Sequence, residues 1–452
     1  MLSGSDTTFY LDEPVEPQHT LKVAVFDEQS SRDFDFERAV NAIAGAIDVL
    51  PQMQWRLHPV PFGLGRPAWV TDPGFDVRNH VYRARVPEPG TKAQLCRTIS
   101  EITSEPVPPG RPPWELWFIE GYEGGKVVAA LKMNHALADG GRLVELLDLL
   151  SHPDPGAPNA VPVPHAPEAI TGVDALTASA AELANQVRHA VPRRLRSMWQ
   201  ARGGDPAPRT PSLMREQPKL PWRGPLTPGR CFSWVSVPLD DVRAMAHAVS
   251  GTVNAVVFAI AAGAIREYLL AEGMPTDRPV VGNAAAKVHG EGDGRLWGTT
   301  ATNRTFALPT HLADPLARLQ EAQVQTRAVR ASVDSRPVQR EEWFDLAPAV
   351  VLRPMLRFAR MMGRWMNGAV IVSNVMGPHE KRYIGPVGIE NFISCGHLKY
   401  VAGLNITVWS YDKNLNFAVY GCSRTLHDAE LFTQRLQSAF EELREATGIA
   451  TT

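Results

Sequence analysis

The residues best suited to chemistry stand together in Asn134-His135-Ala136-Leu137-Ala138-Asp139-Gly140. Histidine titrates near neutrality, so its imidazole can take a proton from a hydroxyl group. A base held in position in this way contributes roughly 10²–10⁴-fold in rate. An aspartate four positions on, with glycines that permit a tight turn, would fix the imidazole. That aspartate is better placed to brace the turn through backbone or arginine contacts than to remove protons. Acyl transfer from a thioester to an alcohol needs little more than such a base, because thiolate leaves readily without a covalent enzyme intermediate. By itself His-x-x-x-Asp-Gly is a short pattern, and a histidine closing a strand is more often structural.

Such a histidine needs a strand before it and a helix after it. Residues 116–121 and 126–133 are extended runs joined through Glu123-Gly124-Gly125, a hairpin signature. Residues 143–150 then read as helical, and further upstream Val40, Ile43, Ile47 and Leu50 share a helical face. Prolines at 153, 155, 158, 162, 164 and 167 exclude both helix and central strand, and a second proline-rich stretch covers 206–228. A helix over 173–190 lies between them. The pattern predicts an N-terminal domain at 1–150, a linker at 151–228 with one helical segment, and a C-terminal domain at 229–452.

In the C-terminal part, residues 232–237 read as a strand, and 239–249 and 253–270 as helices. Asp314-Pro315 starts another helix, with Asp as cap and Pro in the first turn. Leu404, Ile406 and Val408 alternate, as do Leu415, Phe417 and Val419, which predicts a hairpin. Phe432, Leu436, Phe440 and Leu443 share the face of a last helix. The fold class is therefore α+β, in two halves of comparable size.

Composition narrows the function. With 44% hydrophobic and 21% charged residues the chain is globular, and a net charge of −2 removes a global electrostatic case for nucleic acid. The four cysteines, Cys96, Cys231, Cys395 and Cys422, are scattered and predict neither structural zinc nor a disulfide framework. No signal peptide is visible, and the apolar run at 253–265 is too short to cross a bilayer. A cytoplasmic protein is expected, with contact to a membrane or lipid droplet from the side.

Other motifs are weaker. His379-Glu380-Lys381-Arg382-Tyr383 lacks the second histidine of a zinc-protease helix, and His289 sits in a polar, glycine-rich turn. Phosphate-binding, dinucleotide and serine-hydrolase motifs are missing. Arg353, Arg357, Arg360 and Arg364 lie at helical spacing among Leu352, Leu356, Met362, Trp365 and Met366. Arg188, Arg193, Arg194, Arg196 and Arg202 cluster near Leu195, Met198 and Trp199. A solvated helix face is one reading. Docking on an anionic membrane, at about 1 kcal/mol per basic residue, is the other. Trp114 and Trp117 read as core. Met361, Met362 and Met366 could line an apolar tunnel, with core packing the alternative.

Four further segments fall in a familiar order. They are Arg111-Pro112-Pro113-Trp114-Glu115-Leu116-Trp117 with Ile119-Glu120-Gly121, then Gly251-Thr252-Val253-Asn254, Asp277-Arg278-Pro279, and Ser373-Asn374-Val375-Met376-Gly377-Pro378. With the His135 segment, they make the chain resemble the wax ester synthase/diacylglycerol acyltransferase family over nearly its whole length. The resemblance implies two chloramphenicol-acetyltransferase-like domains with the active site in a channel between them. Acyl-coenzyme A would arrive from one face as cosubstrate and a long-chain alcohol or diacylglycerol from the other. No metal or redox cofactor is implied.

The second histidine of the family motif, the base, matches His135, while Asn134, Asp139 and Gly140 take structural places. Asn254, Ser373 and Asn374 are the channel candidates, with Asn374 as a hydrogen-bond donor to the oxyanion. Three positions depart from the family pattern: Asn134 replaces the first histidine, Ala255 an aspartate and Met376 a proline. They motivate two alternatives, an acyltransferase for a specialised alcohol or amine, and a catalytically weak lipid-binding relative.

Overall fold

All eight residues of β1 (His19–Phe26) are buried. A strand of that kind needs partners on both edges and cover on both faces. On one edge lies β6 (Lys126–Asn134), antiparallel, with Val23 opposite Ala130 and His19 opposite Asn134. On the other lies β12 (Val387–Cys395), with Leu21 opposite Cys395. With β4 (Val81–Arg85), β5 (Trp114–Tyr122) and β11 (Tyr383–Ile384) they form a six-stranded sheet in the order β11-β12-β1-β6-β5-β4. A separate hairpin pairs β2 (Trp55–His58) with β3 (Ala68–Thr71). The computed structural model describes residues 1–12, 16–47, 50–156, 172–192, 196, 218–287, 297–299, 301–334, 344, 346–366, 369–398 and 402–450.

The second sheet contains β7 (Arg230–Pro238), β8 (Val280–Lys287), β9 (Ala301–Leu308), β10 (Val370–Val375), β13 (Leu404–Tyr411) and β14 (Asn414–Cys422), ordered β7-β14-β13-β10-β8-β9. Helices of the first half are α1 (Gly4–Asp12), α2 (Glu28–Arg32), α3 (Phe36–Ile47), α4 (Lys92–Ser104), α5 (Gly140–Leu150) and α6 (Gly172–Asn185). Those of the second are α7 (Leu239–Ala248), α8 (Val253–Ala271), α9 (Pro315–Asp334), α10 (Ala349–Met366) and α11 (Ala429–Ala446).

The apolar run of α8 is the centre of the second core, buried from Ala255 through Ile265. Gly263 lets it approach Ala439 of α11, where a Cβ would sit only 3.0 Å from the alanine methyl. A third apolar cluster joins the halves, with Val23 and Ile393 of the first sheet packed among residues that include Trp234 and Tyr420 of the second.

Most local expectations meet their elements. The hairpin before His135, the helix capped by Asp314 and the final amphipathic helix are present. The helix expected at 173–190 begins at Gly172 and widens into a π-helical turn at Gln186–Ala190. The expected boundaries need one correction: β11 and β12 lie within 229–452, yet belong to the first sheet, because β12 supplies the second edge that β1 requires.

Met361 is 69% exposed, so it lines no tunnel and joins no core. Trp114 is core, whereas Trp117 is half-buried and stacks on Tyr82 at 4.7 Å. Much of the linker, the basic residues Arg193, Arg194 and Arg202, and His289 lie outside the described residues, as do the side chains of Arg360, Met362, Arg364, Trp365 and Met366.

Candidate active site

His135 follows the last residue of β6, on a turn held by a series of backbone hydrogen bonds. Its N–H donates to the Gln18 carbonyl at 2.9 Å. The Asn134 side-chain oxygen accepts the Ala136 N–H at 2.9 Å, and Leu137 N–H donates to the Asn134 carbonyl at 3.0 Å. Asn134 is 2% exposed, so this acceptor does for the turn what a solvent molecule would otherwise do. Leu137 and Asp139 then exchange hydrogen bonds with Gly298, which bridges to Ala138 and has a φ of +81°. Only glycine adopts that backbone readily.

Asp139 caps α5, its carboxylate accepting the Arg142 N–H at 2.9 Å in an extended N-cap conformation. A carboxylate at a helix N-terminus satisfies an orphan donor and faces the positive end of the dipole. The next residue, Gly140, lets β10 come close: a Cβ there would meet Val375 at 3.1 Å. The cap and the glycine thus fix where the helix leaves the turn.

Around the half-buried imidazole stand residues from distant parts of the chain. The rings of Phe9 and His397 have centroids 4.6 Å and 4.4 Å from that of His135, and 4.8 Å from each other. The Thr299 hydroxyl lies 3.4 Å from His135 Nδ1. Behind it, Asp6 of α1 is 5% exposed and takes hydrogen bonds from Thr299 and Ser3. Burial lifts the Asp6 carboxyl from 3.8 to about 6, opposed by those hydrogen bonds and reinforced by nearby Asp139.

The remaining candidates divide by strand alternation. Ser373 and Val375 point toward the first half, and Val375 packs on its core. Ser373 donates to the Thr407 hydroxyl at 3.3 Å, which in turn donates to the Asn405 side chain at 2.7 Å. Asn405 donates to the His397 carbonyl at 2.8 Å, so the chain of bonds ends on the residue whose ring meets that of His135 edge-on. Asn374 faces the other way, with Val370 and Val372, and its amide donates to Asn254 at the start of α8 at 2.6 Å. The two asparagines are brought together, but on the face of β10 opposite Ser373.

Sequence reasoning missed Asp6, Phe9, Thr299 and His397. None of them stands at a fixed spacing from His135, and only the glycine before His397 hints at a turn. A cavity of about 570 Å³ borders Asn134 and is walled by α1, β2, the segment 107–113 and α10. Its described lining includes Asn134, the residue before His135, and not His135 itself.

Comparisons with known proteins place the chain in a family. The profile of the wax ester synthase/diacylglycerol acyltransferase catalytic domain matches residues 2–257, and that of the family's C-terminal domain matches 297–444. A putative diacylglycerol O-acyltransferase of Mycobacterium tuberculosis is 30% identical, over 98% of this chain and 97% of its own. A second from that species is 28% identical, over 99% and 90%. The structure is similar to the wax ester synthase/diacylglycerol acyltransferase from Marinobacter aquaeolei VT8, with a TM-score of 0.69, 24% identity and 99% of each chain covered. The first condensation domain of the calcium-dependent antibiotic synthetase shares the fold at a TM-score of 0.63 and 14% identity, covering 100% of this chain and 97% of that one. With the two family profiles spanning most of its length and a relative aligned nearly end to end, this chain belongs to the wax ester synthase/diacylglycerol acyltransferase family and is an acyltransferase.

Proposed function

We propose that the protein transfers a fatty acyl group from coenzyme A to a long-chain alcohol or diacylglycerol, with His135 as general base. The observation that carries this reading is the position of His135, half-buried on a rigid turn with Nδ1 facing the Thr299 hydroxyl. Nδ1–H donates to Thr299, which passes its own hydrogen to Asp6, and this fixes the tautomer in which Nε2 accepts a proton. Nε2 takes the acceptor's hydroxyl proton as the oxygen attacks the thioester carbonyl carbon. The tetrahedral intermediate collapses, the carbon–sulfur bond breaks, and the imidazolium returns the proton to the departing thiolate. Ester and free coenzyme A result.

The same reading puts the enzyme at a lipid surface. Met355, Phe358 and Met361 of α10 are exposed beside Arg353 and Arg357, a combination suited to an anionic interface.

The test is an acceptor screen with purified protein, offering fatty alcohol, diacylglycerol and amine. Ester formation is expected, and His135→Ala should lower turnover roughly 10²–10⁴-fold while leaving the melting temperature near that of the parent. Full activity in a folded His135→Ala protein would remove the assigned base. Acylation of amines alone would remove the neutral-lipid reading.

A further inference from the structure

Four guanidinium groups line the cavity beside Asn134: Arg56, Arg111, Arg353 and Arg357. No carboxylate is among the described residues that line it. Two of the four are anchored from behind. Arg111 donates to Glu115 at 3.0 Å, to the Tyr82 hydroxyl and to the Asn79 carbonyl, while Arg56 stands 3.6 Å from Asp72. Arg111 Nε is buried without a hydrogen-bond partner, while the buried Arg56 Nε is the atom that faces Asp72.

Arg353 and Arg357 lie one helical turn apart on exposed positions of α10, and among the described residues neither has an acidic partner. Leu57, Pro59, Val107 and Leu356 form an apolar wall in the same cavity. Two anchored and two uncompensated guanidinium groups over an apolar wall suit an anion carried on an organic group. Planar forks of N–H donors match phosphate oxygens in particular. A volume of about 570 Å³ falls in the range of small-ligand sites.

We propose that this cavity binds a phosphate ester, and that the phosphorylated nucleotide of the acyl donor docks there with its thioester arm directed past Asn134 to His135. The assignment of the donor rests on the function proposed above; the phosphate chemistry rests on the arginines. The other source of the same chemistry is an anionic phospholipid head group, since α10 also presents Met355, Phe358 and Met361 to solvent.

The test titrates the full-length protein with 3′-phosphoadenosine 5′-diphosphate by calorimetry, and in parallel floats it with phosphatidylglycerol or phosphatidylcholine vesicles. The double variant Arg353→Gln/Arg357→Gln should bind the nucleotide about 100-fold more weakly, roughly tenfold per arginine. The ratio of kcat/KM for an acyl-coenzyme A to that for the phosphate-free N-acetylcysteamine thioester should fall by a similar factor. The Arg353→Lys/Arg357→Lys variant keeps the charge, should recover part of the loss, and serves as the control for folding.

Loss of nucleotide binding in the glutamine variant confirms the site with the donor as its source. Loss of phosphatidylglycerol binding alone confirms it with a lipid as its source. Wild-type protein that binds neither, or binds both as tightly after substitution, overturns the proposal. Ester synthesis without nucleotide binding sinks the site and leaves the reaction standing. Nucleotide binding without acyl transfer to any acceptor does the reverse.

Discussion

Replacing Asp6 by asparagine should stabilise the protein, and only where the carboxyl is ionised. Burial raises the Asp6 carboxyl from its ordinary 3.8 to about 6, even though Thr299 and Ser3 donate hydrogen bonds to it, and Asp139 adds repulsion. Each unit of such displacement corresponds to about 1.4 kcal/mol, so the ionised native state costs about 3 kcal/mol relative to the unfolded chain. The native protein holds this proton more tightly than the unfolded one. Stability from this group is therefore full below about pH 4, falls as pH rises toward about 6, and stays low above it.

Asparagine has the same shape and no charge. Its oxygen can accept the Thr299 N–H while its amide donates to the Ser3 hydroxyl. Urea unfolding, followed by the fluorescence of the eleven tryptophans, gives the comparison near pH 4, 6 and 8. The variant should match the parent at the lowest pH and exceed it by up to about 3 kcal/mol at the highest. A difference that does not widen with pH would refute the reasoning. So would a less stable variant at pH 8, which would mean that the carboxylate is better solvated by its neighbours than its burial implies.

Two further substitutions probe the scaffold. Glu115 is buried and receives Lys132 at 2.8 Å, Arg111 at 3.0 Å and the Trp117 indole at 3.2 Å. Glu115→Ala should cost about 3–5 kcal/mol by leaving Lys132, 1% exposed, with only the carbonyls of Ile102 and Glu105. Adding Lys132→Met should recover part of that loss, and an unchanged urea midpoint in the single variant would contradict the pairing. At Gly377 a Cβ would collide with the Ser410 carbonyl oxygen and the Trp409 indole. Gly377→Ala should therefore destabilise by about 1–3 kcal/mol, and a melting temperature equal to the parent's would show that this approach is looser than described.

The turn around His135 was legible because its signals are local. A strand, an asparagine, two glycines and a cap four residues after the histidine all fall within one short stretch. The apolar pattern of α8 and the cap at Asp314 are local too. The company His135 keeps was not legible: Asp6, Phe9, Thr299 and His397 converge only after both sheets have formed. Nor could alternation alone say which face of β10 would meet the first half. The family resemblance named Ser373 and Asn374 together as channel candidates; the fold gives Ser373 to the His397 network and Asn374 to Asn254. The partner of β1 came from more than 360 residues downstream, a pairing no local pattern encodes.

That borrowed strand limits how the halves can part. β12 is hydrogen-bonded along β1 from Leu21 to Phe26, yet the chain reaches it from β10 by way of the short β11 and leaves it for β13, and β10 and β13 both lie in the other sheet. Wide clamshell opening would have to peel β12 from β1 or stretch the short connections at either end. Under the function proposed above, substrates would have to reach His135 while the two halves stay joined through this strand.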